Sequence, residues 1–340
     1  MKTLKRYASE DINFSILLTI IACVLVLSAI FFGSSMYSLR NMQSMAFQIP
    51  EFGFLALAMM LSNLVGGIDL SIIANANTVA IFTAYVLNGS WSMGVDGAAR
   101  IPLALLVALV ASLIFGLFNG LLISRTSAPS LIATLGTMTL FQGIGMALTG
   151  GSSVGNLTPE FAIIGKALFL QIPAIFWVFL LASLILGLVL SLTDFGRKLY
   201  LYGGNPVAAR FSAVNNDRMT VSVFMLTGLL AGIAGVIILS RVNSAKVGYG
   251  DSYLLQTMIV CVIGGIHPNG GRGKVQGVVV AIVLMQIMSR SFTIMSLSPY
   301  TKKLIWGVML ILVLGLNHLI TIYTQKKRMA ESKKIERKAA

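Results

Sequence analysis

Residues 173–192 read PAIFWVFLLASLILGLVLSL, a stretch without one charged side chain. A bilayer's hydrocarbon core takes about 20 apolar residues per helical crossing, so this run has the length and chemistry of one span. Outward from it, comparable stretches lie near 14–32, 45–64, 70–88, 102–124, 130–149, 220–240, 254–267, 275–296 and 304–323. The expected fold is therefore all-α: one polytopic transmembrane helix bundle of about ten spans, forming a single domain over 1–340. Composition agrees, with 56% hydrophobic and 11% charged residues in 340, against about 25% charged in an ordinary globular chain.

The formal net charge is +14, from 25 Lys and Arg against 11 Asp and Glu. The basic residues sit in short clusters between apolar runs, the way a membrane protein marks its cytoplasmic side, and not as a patch for nucleic acid, which is excluded as a partner. An even number of spans puts both termini on one side. Both are basic, with Lys2, Lys5 and Arg6 in the tail 1–13, and Lys326, Lys327, Arg328, Lys333, Lys334, Arg337 and Lys338 in the tail 324–340. Both are expected in the cytoplasm; the internal loops alone are nearly balanced. The run from Phe14 to Phe32 is read as a retained signal anchor. Cys23 and Cys261 fall inside apolar runs and imply no disulfide.

Two places are expected to be irregular. Leu64 to Asp69 joins the second and third spans almost without a gap, and the eighth span, 254–267, is too short to cross unless broken or re-entrant. Val65-Gly66-Gly67-Ile68 at the first is faintly echoed by Ile263-Gly264-Gly265-Ile266 at the second, too briefly to claim a duplication. Gly116-x-x-x-Gly120 and Gly228-x-x-x-Gly232 let helices approach closely, either within the bundle or at a dimer face. Of the two long connections, Gly150 to Ile172 is outer in this topology, and its apolar piece Phe161 to Leu170 is expected on or in the outer leaflet. The other, 193–218, is cytoplasmic.

Enzymatic chemistry finds little support. His267 and His318 have no second histidine or carboxylate at metal-ligand spacing, so no metal and no cofactor are expected. Pro268 to Val275 resembles a phosphate loop but lacks its first glycine and its final Ser or Thr, and Gly150 to Val154 lacks the second glycine of a nucleophile elbow. Glu51 and Asp69 are the acids near or within spans, and no span has a central Lys or Arg. That is thin for an ion pathway, which leaves an ion-coupled secondary transporter of a small polar solute as the alternative.

Two motifs carry the reading. In Gly66-Gly67-Ile68-Asp69-Leu70-Ser71, Asp69 or Ser71 can cap the helix that follows or meet a solute. In Phe195 to Ala213, Gly203 and Gly204 permit a turn, and Asn205-Pro206 is an N-cap with a first-turn proline. A short helix over about Pro206 to Ala213 follows, with Ala208 and Ala209 as a small, approachable face and Arg210 and Phe211 as a charge and an anchor. Two turns of helix outside the membrane need something to dock on. Asn75 and Asn77 in the third span, with Gln256 and Gln286, are polar groups that need partners in lipid.

Together with the segment Thr227 to Ser240 and the Gly264-Gly265 to Gly270-Gly271-Arg272-Gly273 stretch, these motifs resemble the membrane permease subunits of ribose-type and other monosaccharide ABC importers, a family that takes in autoinducer-2 permeases, over roughly residues 45 to 320. The resemblance implies alternating access without chemistry in this chain. It also implies a cytoplasmic ABC ATPase subunit docked around Gly204, Asn205, Pro206, Ala208, Ala209 and Arg210, a second permease subunit, identical or similar, and an extracytoplasmic solute-binding protein. Asp69, Ser71, Asn75, Asn77 and Gln256 become candidates for lining the path. Two departures stand out: Ile72-Ile73-Ala74-Asn75-Ala76-Asn77 where such permeases usually have Val-Gly-Ser, and Ile266-His267-Pro268-Asn269 for a smaller, hydroxyl-rich run.

Overall fold

The structure is a computed structural model that describes residues 2–91, 94–126, 128–315 and 319, with side chains from residue 15 onward except residue 16. The carboxyl-terminal tail, the end of the last apolar stretch and His318 lie outside the described residues, as do the side chains of Lys2, Lys5 and Arg6. The chain is helical almost throughout: α1 (Lys2–Tyr37), α2 (Leu39–Leu64), α3 (Ile72–Leu87), α4 (Arg100–Thr126), α5 (Ser130–Thr149), α6 (Pro159–Ile164), α7 (Ala174–Leu192), α8 (Asp194–Gly204), α9 (Pro206–Phe211), α10 (Asn216–Val242), α11 (Asp251–Ile263) and α12 (Val275–Ile294). A further helix, α13, covers 299–315. The only strands among the described residues form a hairpin, β1 (Leu168–Phe169) with β2 (Ile172–Pro173).

Among the described residues, each of the ten apolar stretches coincides with all or part of a helix, and seven helical stretches are long and apolar enough to cross a membrane: Leu17–Tyr37, Leu39–Leu64, Gly97–Thr126, Ser130–Thr149, Ala174–Leu192, Asn216–Val242 and Val275–Ile294. The chain is an all-α, multi-pass membrane protein. Helix α11 begins and ends earlier than the apolar run 254–267 and has 13 residues, about 20 Å at 1.5 Å per residue. It nevertheless joins opposite ends of the bundle. Ala245 before it pairs with Val154 just beyond α5, whereas Gly271 after it donates to Leu64 O at the far end.

Burial follows from how the helices surround one another. Every residue from Ile49 to Ser62 of α2 is buried, the expected state of a helix that is apolar all round. Helix α10 packs on α4, α2 and α3. Here both small-residue motifs meet within one chain. A Cβ on Gly228 would lie 2.7 Å from Gly116 Cα, one on Gly116 2.4 Å from Phe224 O, and one on Gly232 2.4 Å from Ser112 Cβ. The spacing therefore serves the α4–α10 contact, where van der Waals packing at short range replaces a hydrophobic driving force.

The paired glycine breaks share a local geometry. Gly66 donates to Asn63 O and Gly67 to Ser62 O, just as Gly265 donates to Val262 O and Ile266 to Cys261 O. Gly66 and Gly265 both take positive φ, at 77° and 81°. The equivalence is offset by one residue from the sequence match, so Gly66 corresponds to Gly265.

Candidate functional site: the glycine junction and the short helix

At one end of the bundle three glycine pairs from distant parts of the chain come together. Gly271 N donates to Leu64 O at 2.8 Å. A Cβ on Gly203 would fall 1.8 Å from Leu64 O, one on Gly270 2.6 Å from Gly66 N, and one on Gly271 2.4 Å from Gly204 Cα. Backbone meets backbone here, so no side chain fits between the end of α2, the end of α8 and the loop 264–274. Tyr200 donates from its hydroxyl to Gly273 O at 2.8 Å, and the Tyr202 hydroxyl lies 2.8 Å from Thr220 Oγ1. Helix α8 is thus tied to both the loop and α10.

Within the loop, His267 Nδ1 accepts from Asn269 N at 3.2 Å. Partial burial, and then the nearby Arg272 charge, hold the imidazole below its ordinary pKa, favouring the neutral ring that can accept this bond. At the start of α8, Thr193 Oγ1 caps Gly196 N, and the Arg197 guanidinium holds the Asp194 carboxyl below the usual carboxylate range.

Helix α9 begins as its sequence predicts. Asn205 Oδ1 accepts from Val207 N and Ala208 N, both at 3.0 Å, with Pro206 as the first helical residue. It stops at Phe211, two residues short of the expected end, because Ala213 takes positive φ and Val214 N turns back to Ala209 O. The expected small face is corrected in one respect. Ala209 is fully buried in the chain's own core, and Ala208 is half-buried. The side chains left on the surface are Pro206, Val207, Arg210 and Phe211, the last 89% exposed. Val207 and Phe211 thus leave apolar side chains exposed beyond the end of the bundle.

The break between α2 and α3 is held by side chains from three helices. Ile68 N donates to Ser130 Oγ, Leu70 N to Thr134 Oγ1, and Thr134 Oγ1 donates back to Ile68 O, at 3.0, 3.1 and 3.0 Å. Asp69 Oδ1 accepts from Ser71 N and Ser71 Oγ at 2.9 and 2.6 Å, and Oδ2 accepts from Thr227 Oγ1 at 3.1 Å. Asn119 Nδ2 donates to Ser71 Oγ at 2.8 Å. Irregular backbone at membrane depth persists only where such groups satisfy it. Asp69 and Ser71 are buried and engaged within the chain.

The other polar candidates are not gathered into one place. Asn75 is buried and reaches Gly228 O with Nδ2 at 3.5 Å, while its Oδ1 has no partner. Asn77 and Gln256 are buried as well, and Gln286 donates to Gln48 Oε1 at 3.2 Å. Sequence reasoning missed one ion pair. Arg241, at the last turn of α10, donates from Nε and Nη2 to both oxygens of the fully buried Glu51 in α2, and Tyr253 of α11 donates to Glu51 Oε2 at 3.4 Å. No spacing rule links positions 190 residues apart. Among the described residues no three His, Cys, Asp or Glu side chains come together to hold a metal ion.

Comparison with known proteins gives the family. The family model described as the permease component of branched-chain amino acid transport systems matches residues 41–314. The ribose import permease protein of Bacillus subtilis is 30% identical over 296 residues, covering 86% of this chain and 89% of that protein. The L-arabinose transport system permease protein of Escherichia coli is 30% identical over 292 residues, covering 86% and 87%. The autoinducer 2 import system permease protein of Salmonella paratyphi B is 28% identical over 260 residues, covering 76% and 73%. No solved structure matches the chain. The glycine junction, the capped helix and the stitched break lie inside the matched segment, and the chain belongs to this family of transport-system permease components.

Proposed function

We propose that this chain is the transmembrane subunit of an ATP-binding-cassette importer that moves a sugar or sugar-like solute by alternating access. A separate cytoplasmic ATPase hydrolyses the nucleotide, a second permease subunit completes the path, and an extracytoplasmic binding protein delivers the solute. Both termini and the loop 193–218 lie in the cytoplasm, and the ten apolar stretches mark ten crossings, the eighth made by α11, which ends before His267. The carrying observation is the convergence of Gly203–Gly204, Gly66 and Gly270–Gly271. Helix α9 follows Gly204 by one residue, so a push on its exposed Val207, Arg210 and Phe211 reaches the α2–α3 break through rigid backbone contacts. There Asp69 passes it to α10 through Thr227, and Ser71 passes it to α4 through Asn119.

The names of the relatives, which import ribose, arabinose and autoinducer 2, support a polar, sugar-like solute. The ion-coupled alternative needs an acid free to exchange a cation. Glu51 is instead clamped by Arg241 and Asp69 by three donors, which disfavours it. The test is reconstitution in liposomes with the ATPase and binding protein, measuring solute-stimulated ATP hydrolysis and uptake together. Uptake by the permease without ATP, driven by a proton or sodium gradient, would sink the proposal.

A further inference from the structure

At the end of the bundle opposite the glycine junction, a cleft of about 310 Å³ opens between the start of α2, the turn after α6 and the end of α10. Arg40, Lys166 and Arg241 line it, with Gln43 and Ser44 between them. Arg241 spends two N–H groups on Glu51 and keeps 35% of its side chain exposed, so its remaining donors are available to the cleft. Arg40 and Lys166 make no ion pair among the described residues. Three cations against the one carboxylate behind them leave a local excess of positive charge.

The rim is the opposite of hydrophilic. Ile163 and Ile164 precede Lys166, and Leu168, Phe169 and Leu170 follow it, all well exposed, with Leu170 at 73%. Across the cleft Leu39 and Met42 flank Arg40 and are exposed too. Gln43 Nε2 donates to Gln171 O at 2.9 Å and Trp177 Nε1 to Phe169 O at 3.4 Å. These bonds hold the hairpin beside the cationic side chains. Tryptophan and exposed aliphatic groups around a basic pocket are the features of a headgroup-level membrane boundary. Phe161, by contrast, is buried, so the part of this loop that meets lipid begins after it.

We infer that this cleft is a binding site for the phosphate of an anionic phospholipid in the outer leaflet, whose acyl chains lie along the exposed hairpin. Arg40 and Lys166 supply charge to the phosphate, Arg241 is its floor, and Ile163, Ile164, Phe169 and Leu170 cover the glycerol and upper chains. The outer leaflet rests on the topology proposed above, with both termini cytoplasmic; the inference does not rest on the identity of the solute or on coupling to an ATPase.

The test uses the full-length permease, purified and stripped of lipid, with native mass spectrometry reading bound dioleoylphosphatidylglycerol and dioleoylphosphatidylcholine. A basic side chain beside anionic lipid contributes roughly fivefold in affinity, so Arg40→Ala with Lys166→Ala should weaken phosphatidylglycerol binding ~25-fold and leave phosphatidylcholine unchanged. The charge-preserving pair Arg40→Lys with Lys166→Arg should bind like the wild type and guards against misfolding. Equal phosphatidylglycerol affinity in the alanine pair overturns the site. Displacement of the lipid by millimolar inorganic phosphate overturns the lipid and makes the ligand a soluble anion. If the alanine pair loses binding-protein capture in phosphatidylcholine-only nanodiscs, with lipid binding intact, the cleft belongs to an acidic protein surface and the inference fails.

Discussion

Leu64 and Gly271 meet main chain to main chain. The carbonyl that ends α2 accepts the Gly271 amide at 2.8 Å, and Gly203 closes over the same oxygen so tightly that a methyl group there would lie 1.8 Å from it. The contact joins residues more than 200 positions apart and leaves no side chain able to relax.

Gly203→Ala should therefore be costly. The obstructing atom is backbone, so the strain cannot be relieved by a rotamer change, and overpacking of this kind costs about 1–3 kcal/mol or more. The expected result is a lowered midpoint of thermal unfolding in detergent, together with weaker solute stimulation of ATP hydrolysis. Gly136→Ala, at a position with open space around it, serves as the control and should be near neutral. Equal behaviour of the two variants would mean that the junction is looser than its geometry.

The short helix divides cleanly by burial. Phe211→Ala and Arg210→Glu change only exposed side chains and should leave membrane abundance near normal while ATPase co-purification and uptake fall together. Ala209→Trp should behave differently, because Ala209 has no exposed surface. It is expected to reduce abundance itself, by overfilling the core into which Ala209 packs, next to Val214, whose amide donates to Ala209 O. Wild-type ATPase capture by the Phe211→Ala, Arg210→Glu double variant would place docking elsewhere.

Asp69 separates a structural acid from an ion-carrying one. Asp69→Ala removes the acceptor for Ser71 N and Oγ, whereas Thr227 can still donate to Phe224 O; each buried donor left unpaired costs about 1–3 kcal/mol, so stability and uptake should both drop. Asp69→Asn retains an amide oxygen for the Ser71 N–H, and its NH₂ can donate to the Thr227 hydroxyl, so most uptake should survive. Abolition of uptake by Asp69→Asn at normal stability, measured in liposomes, would revive the ion-coupled reading.

Glu51→Gln leaves the Arg241 guanidinium without its counter-ion. Breaking a buried pair costs about 3–5 kcal/mol, but the 35% exposure of Arg241 lets water offset part of this, so we expect about 2 kcal/mol. Adding Arg241→Gln should recover part of the loss, because two amides can pair with each other. A double-mutant cycle on thermal stability reads the coupling, and a cycle near zero would show that the pair contributes nothing.

The His267 turn should weaken in acid. Its folded pKa lies below the ordinary value of about 6.5, so the folded state favours the neutral ring. This contribution is fully present above about pH 6.5 and is lost as pH falls through the folded value. Thermal stability measured between pH 7.5 and 5 should decline more steeply for the wild type than for His267→Asn, whose side chain can accept from Asn269 N without titrating.

What the sequence determined by itself is whatever depends on chain-local chemistry. Span-length apolar runs such as 173–192 require helices in lipid. Asn205-Pro206 starts α9 because a side-chain oxygen and a preset φ act within one turn, and Gly66 and Gly265 mark breaks because those positions take positive φ. The junction itself was legible only as separate glycine pairs. Tertiary structure decided that the pairs converge, that Gly116 and Gly228 face each other inside one chain, that Ala209 turns inward while Phe211 stays outside, and that Arg241 neutralises Glu51. The physical reason is that a helix's covered face and an ion's partner are set by which other helices lie alongside, and packing between apolar helices in lipid depends on side-chain shape at short range, which no local spacing encodes.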